Sequence, residues 1–160
     1  MLVCTCDRAS YVQDAGREVA KVFEAKDQTA ALPTDNETSE LNNHVIILGF
    51  GRVGQTIAQL LSERLIPFVA LDVRSDRVAA GQAADLPVYF GDAGSPQVLH
   101  HLNAARARCA VITLDTPGAN YRAVWAMNKH YPNAKIYVRA HDVGHGINLE
   151  KAGATAGAPL

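Results

Sequence analysis

The rhythm of apolar and polar positions changes twice along the chain. Between Ser10 and Ala31, Val12, Ala15, Val19, Val22 and Phe23 recur at helical spacing and predict an amphipathic helix. The following stretch, PTDNETSELNN from Pro33 to Asn43, is polar and rich in acids and turn formers, so it reads as a solvated linker. From His44 onward, short apolar runs alternate with helical patterns, as expected of a parallel sheet covered by helices on both faces. The runs predict strands at 44–48, 68–71, 88–90, 109–114 and 136–140, with a short sixth near Thr155. Joined by right-handed crossovers, they give an α/β fold with a doubly wound, six-stranded parallel sheet. Val53, Ile57, Leu60, Leu61 and Leu65 form one stripe that should pack the first helix of this region on the sheet. Ser95 before Pro96 has the form of an N-cap with proline at the first helical position, and Gly153 after LEKA that of a helix-ending glycine.

Chemistry enters at Gly49-Phe50-Gly51-Arg52-Val53-Gly54, between the first strand and the first helix of the sheet. Gly49 permits the tight turn, Gly51 lets a phosphate approach the backbone, and Gly54 lets helix and strand pack closely. The N–H groups at the helix start then face an anion. Glycine-rich turns also occur for structural reasons alone, but Asp72 ends the second predicted strand 18 residues after Gly54, where a carboxylate can accept hydrogen bonds from ribose hydroxyls. The pairing predicts a Rossmann-like nucleotide site.

Composition narrows the alternatives. With 160 residues, 48% of them apolar, the chain can bury one core and little more, so residues 1–41 are expected to be a helix and linker and residues 42–160 the single nucleotide-binding domain. The net charge of -1 comes with scattered Lys and Arg and no basic stripe, which argues against nucleic acid as a partner. The longest apolar runs, near Val45 to Phe50 and Ile66 to Leu71, fall far short of the ~20 residues that span a bilayer. The first residues carry Asp7, Asp14 and Glu18 and fit neither a secretory signal nor a transit peptide. Three cysteines supply no disulfide framework, and Cys109 is expected in the core.

Other constellations have plainer readings. His141 and His145 flank Asp142, but Gly144 and Gly146 suggest a loop there and no further metal ligand is evident. Asp92 in Gly-Asp-Ala can form an Asx turn as well as meet a ligand. Arg77 reads as a surface residue, as does Arg74 unless it faces a 2′-phosphate. Tyr121 and Trp125 have the i, i+4 spacing of packing partners. Tyr131 and Lys135 match the Y-x-x-x-K spacing of a dehydrogenase acid–base pair. Pro132 and Asn133 end the helix between them, so the two should diverge and no catalytic residue is assigned.

Taken in order, HVIILGFGRVGQTIAQLL, LDVRSDRV, VYFGDAGSPQVL, AVITLDTPGANYRAV, YVRAHD and LEKAGAT resemble the RCK N-terminal (TrkA-N, or KTN) domain over about residues 42 to 157. Within that family the chain is most similar to the domain found in plant and algal chloroplast potassium efflux (K+/H+) antiporters, relatives of the bacterial Kef systems. The resemblance implies an adenine nucleotide (AMP, NAD(H) or ATP). Gly49, Phe50, Gly51, Arg52, Val53 and Gly54 would then surround phosphates, and Asp72 would take the ribose with Val73 and Arg74 beside it. Asp92 and Ala93 would lie near the adenine, Thr113 and Leu114 would close the pocket, and Arg139 would reach a phosphate or a partner subunit. It implies further a homodimer coupled to a membrane-embedded cation/proton exchanger domain, controlling potassium transport. The location implied is the stromal face of the chloroplast envelope, with the cytoplasmic face of a bacterial membrane as the alternative. The chain stops at AGAPL, before the downstream helices the resemblance implies, and so reads as truncated. The competing functional reading is a small NAD-dependent oxidoreductase-like Rossmann protein.

Overall fold

A computed structural model describes residues 41–159 of the chain. The helix predicted over Ser10 to Ala31, and the linker as far as residue 40, lie outside the described residues. In chain order the elements are β1 (Val45–Leu48), α1 (Arg52–Glu63), β2 (Phe68–Asp72), α2 (Ser75–Gln82), β3 (Val88–Phe90), α3 (Pro96–His101), a 3-10 turn (Ala104–Arg106), β4 (Cys109–Ile112), α4 (Pro117–His130), β5 (Lys135–Ala140), α5 (Val143–Lys151) and β6 (Ala156–Pro159). Five strands in the order β3-β2-β1-β4-β5 pair in parallel, and β6 pairs in parallel along the outer edge of β5.

The all-apolar sequence of β1, VIIL, follows from its place. Each of its residues is buried, because it pairs with β2 on one side and β4 on the other and has both faces covered. Alternate side chains point to opposite faces, so Val45 and Ile47 join one apolar cluster with Ala58 of α1 and Val78 of α2. Ile46 and Leu48 join the other, with Leu99 of α3, Met127 of α4 and Leu149 of α5. Each such aliphatic side chain contributes about 1.5–3 kcal/mol by leaving water. The N-terminal side of this region is tied down too. The Asn103 side chain donates to the Leu41 carbonyl, and the Asn43 N–H donates to the Arg106 carbonyl, so the last linker residues dock on the 3-10 turn and are not simply solvated.

Three expectations from the sequence are corrected. The predicted stripe of α1 is too wide. Leu60 is 51% exposed and Leu65 91%, while the face on the sheet is made by Gly54, Ile57, Ala58 and Leu61. The physical reason is that Leu60 lies about 100° round the helix from Leu61, and Leu65 falls beyond the helix end at Glu63, with φ +54°. Gly144 and Gly146 are not in a loop; both lie in α5, whose start is fixed by Asp142 accepting from the His145 N–H at 2.7 Å. Tyr121 and Trp125, read as packing partners, are each about half exposed, and the Lys129 ammonium lies 4.5 Å from the Trp125 ring centre.

His44, just before β1, is fully buried. Its Nε2 donates to the Leu102 carbonyl at 3.0 Å, and its Nδ1 has no hydrogen-bond partner. Burial holds its pKa below the ordinary histidine value. The unfolded chain therefore takes up this proton first as pH falls through about 6.5, and the folded state loses up to about 1.4 kcal/mol per pH unit until its own lowered pKa is reached. Urea denaturation at pH 7.5, 6.5 and 5.5 should show that decline in the wild type and a shallower one in His44→Gln, whose amide can still donate to Leu102. Identical slopes in the two proteins would assign the pH dependence to other groups.

Candidate functional site

The sheet order reverses between β1 and β4, so the connections leaving these two strands diverge and open a crevice at the carboxyl end of β1. The glycine loop occupies it. Gly49 has φ +108°, a backbone conformation that L side chains rarely adopt, and this turn carries the chain from β1 into α1. Gly51 is the N-cap of α1, and no side chain caps that helix. Gly54 sits so close to Gly49 that a methyl group on it would overlap the Gly49 carbonyl oxygen.

Two side chains hold the loop from its flanks. Asp72, at the end of β2 and only 3% exposed, accepts the Phe50 N–H at 2.7 Å through Oδ2 and the Arg74 N–H at 2.9 Å through Oδ1. From the other side, the Thr113 hydroxyl donates to the Gly49 carbonyl at 2.8 Å, and the Thr113 N–H donates to Leu48. Thr113 thus keeps its N–H on β1 while its side chain turns to the loop, and β4 ends at Ile112 and not at Leu114 as the apolar run suggested.

Beside the loop is a cavity of about 340 Å³. Gly51, Arg52, Val53 and Thr56 line it from the start of α1, and Thr113, Asp115, Arg139 and His141 from the ends of β4 and β5. Arg139 brings its guanidinium to 4.0 Å from Asp115, and its buried Nε has no hydrogen-bond partner. A phosphate-sized anion entering this cavity would face an uncapped helix start and the cations Arg52 and Arg139, with Asp115 as the one carboxylate in the lining.

Of the residues expected at the site, Gly51, Arg52, Val53, Thr113 and Arg139 line this cavity together. Gly49, Phe50 and Gly54 shape the loop behind it. Asp72 is present at the expected place, but it is not an open acceptor waiting for two hydroxyls. It is buried and already takes protein donors on both oxygens. Arg74 does not face the site: its guanidinium pairs with Asp76 at 2.6 Å on the exposed start of α2. Val73 is 54% exposed beside Asp72. Asp92, exposed after β3, accepts the Gly94 N–H at 2.9 Å in an Asx turn, and the Ala93 methyl is buried in the core, so neither lines the cavity. Leu114 packs against the core.

The sequence reading missed Asp115 and Arg77. Arg77 of α2 donates to Asp72 at 3.3 Å and to Asp115 at 2.9 Å, bridging the ends of β2 and β4. Asp115 had a signal, since it closes the run AVITLD at the reversal point of the sheet. Arg77 had none, because its partner Asp115 lies 38 residues away. Tyr131 caps α4 and Lys135 opens β5, so the dehydrogenase-like pair falls on different elements. Among the described residues no group of His, Cys, Asp and Glu could hold a metal ion, and no helix is long and apolar enough to cross a membrane.

The chain is 66% identical over 149 residues to the chloroplastic K(+) efflux antiporter 2 of Arabidopsis thaliana, covering 93% of this chain and 13% of that protein. It is 36% identical to the putative K(+) efflux antiporter KefB of Alkalimonas amylolytica, covering 76% of this chain and 18% of that one. The chain therefore spans under a fifth of the length of either relative. Among solved structures, the Shewanella denitrificans Kef CTD in AMP-bound form superposes with a TM-score of 0.65 at 33% identity, covering 74% of this chain and 71% of that one. The GsuK channel bound to NAD superposes with a TM-score of 0.67 at 23% identity over 76% of this chain and 22% of that one, a likeness of fold. Residues 45–157 match the TrkA-N domain, and the chain belongs to that family.

Proposed function

We propose that this domain binds an adenine nucleotide and serves as the regulatory part of a potassium/proton antiporter. The observation that carries the reading is the glycine loop held between Asp72 and Thr113 at the reversal point of the sheet, with an uncapped helix start and Arg139 facing one cavity. AMP is the first candidate, because the Kef CTD that is 33% identical over 74% of this chain was solved with AMP bound; NAD(H) and ATP present the same phosphate-ribose unit. The antiporter assignment draws on the Arabidopsis relative, in which a segment like this chain is a small part of a longer protein. The chloroplastic relative supports a chloroplast location, and the stromal face of the envelope is the side on which this reading has the domain act.

Regulation then needs a ligand that binds two states of the domain unequally. Two copies paired through their TrkA-N domains, joined to a membrane-embedded exchanger, would supply those states. The Tyr131 and Lys135 pair on which the hydride-transfer reading would rest falls on two different elements.

Calorimetry on the 160-residue chain with AMP, NAD(H) and ATP should show saturable binding of at least one. The same nucleotide should raise the unfolding free energy by about 2.7 kcal/mol at a hundred times its Kd. Light scattering on the same samples should report a dimer. An absence of both heat and thermal shift with all three nucleotides at millimolar concentration would refute the binding assignment.

A further inference from the structure

Arg77 lies across the candidate site without having been assigned to it. Its side chain is 22% exposed, and its guanidinium spans from Asp72 to Asp115. Between those carboxylates it passes over Gly51. A Cβ placed on that glycine would lie 3.3 Å from Arg77 Nη1 and 3.6 Å from Asp115 Oδ1. The space Gly51 leaves open for a phosphate is therefore bounded by one cation and one anion.

The two bonds of Arg77 differ in strength. At Asp72 the Phe50 N–H holds Oδ2 at 2.7 Å and Arg77 at a longer 3.3 Å, whereas Asp115 holds Arg77 at 2.9 Å. A ribose hydroxyl donating to Oδ2 would displace the longer, weaker donor first. That frees Nη1 beside Gly51 while Nη2 keeps Asp115. The freed N–H groups point at the position where a phosphate oxygen arrives, and the retained bond masks the Asp115 charge that would otherwise repel it.

We propose that Arg77 is the residue that makes this site select phosphorylated nucleotides over nucleosides, by exchanging Asp72 for a ligand phosphate while holding Asp115. The proposal rests on the nucleotide reading above and adds a residue and a selectivity to it. Arg74, three residues earlier, does not stand beside Gly51; its guanidinium pairs with Asp76 on the exposed start of α2.

The test is titration calorimetry of AMP and adenosine into the full 160-residue chain and its variants. In the wild type AMP should bind at least about tenfold tighter than adenosine, the worth of one charge-assisted contact. Arg77→Gln should weaken AMP by about tenfold or more and leave adenosine within about threefold, with Arg77→Lys in between because an ammonium lacks the planar fork. Should Arg77→Gln fail to fold, Arg77→Lys carries the test, with an AMP-to-adenosine affinity ratio that falls below the wild-type ratio. Equal weakening of both ligands by Arg77→Gln would make Arg77 a purely structural brace, and tighter AMP binding would make it a cover; either result overturns the proposal. Tight AMP binding with an unaltered AMP-to-adenosine ratio overturns the Arg77 assignment alone. No binding of either ligand to the wild type overturns the nucleotide reading with it.

Discussion

Replacing Gly54 with alanine should cost about 3 kcal/mol or more of folding stability, because the added methyl group would overlap the Gly49 carbonyl oxygen. Relief is not available from a rotating side chain. The obstacle is backbone, and that carbonyl is itself held by the Thr113 hydroxyl at 2.8 Å. Gly49 cannot easily turn aside, since φ +108° already places it where only glycine is comfortable. Either α1 lifts from the sheet, exposing Ala58 and the cluster around Ile47, or the β1–α1 turn opens. Gly118→Ala is the matched control. It lies in α4 with nothing within 4 Å of the new methyl, and should be neutral or stabilising by about 0.5–1 kcal/mol. Urea denaturation of both variants decides the matter, and a Gly54→Ala protein within about 1 kcal/mol of wild type would show that the helix and strand are not in the contact described.

The second large effect should be on binding and not on stability. Gly51 has φ -77° and ψ -168°, open to any residue, and a Cβ there meets only the ends of Arg77 and Asp115 side chains. Gly51→Val should therefore fold with a loss of about 1 kcal/mol, typical of a poor N-cap. Its branched side chain would fill the space beside the start of α1 that a phosphate must enter, and nucleotide affinity should fall at least about 100-fold, or about 3 kcal/mol. Calorimetry against the best-bound nucleotide, with circular dichroism to confirm the fold, measures both quantities. Wild-type affinity in Gly51→Val would mean that the phosphate sits away from the loop. Two glycines three residues apart would then have been separated by experiment into one that maintains the fold and one that admits the ligand.

Much of the site could be read from the chain because its parts are local. The GxGxxG spacing spans six residues, Asp72 closes the next strand 18 residues after Gly54, and each apolar run is short and continuous, so periodicity places them on strand, turn or helix. What escaped depends on distance or on competition between neighbours. Arg77 looked like any solvated arginine until the fold brought it to Asp115. Arg74 was the more obvious candidate, yet Asp76 beside it offers a nearer carboxylate. Asp72 was legible as an acceptor, but its burial under protein donors was not. Gly144 and Gly146 suggested a loop by propensity, and the Asp142 cap outweighed them. The stripe on α1 included Leu60 and Leu65 because sequence spacing alone does not tell how wide a face the sheet will cover.

The central position of β1 sets the order in which the chain can assemble. Its pairing with β2 joins Val45 to Phe68, and β3 follows within twenty residues more, so half of the sheet can form from the first strands synthesised. Its other edge waits for Cys109 to Ile112. Until those residues leave the ribosome, VIIL presents an unpaired apolar edge, with no charge or proline to discourage a strand from another molecule. The interval is a matter of seconds at ordinary elongation rates of about 5–20 residues per second. A nascent chain arrested after Phe90 should accordingly be captured by chaperones, and one arrested well beyond Ala140, with β4 and β5 clear of the exit tunnel, should be released from them.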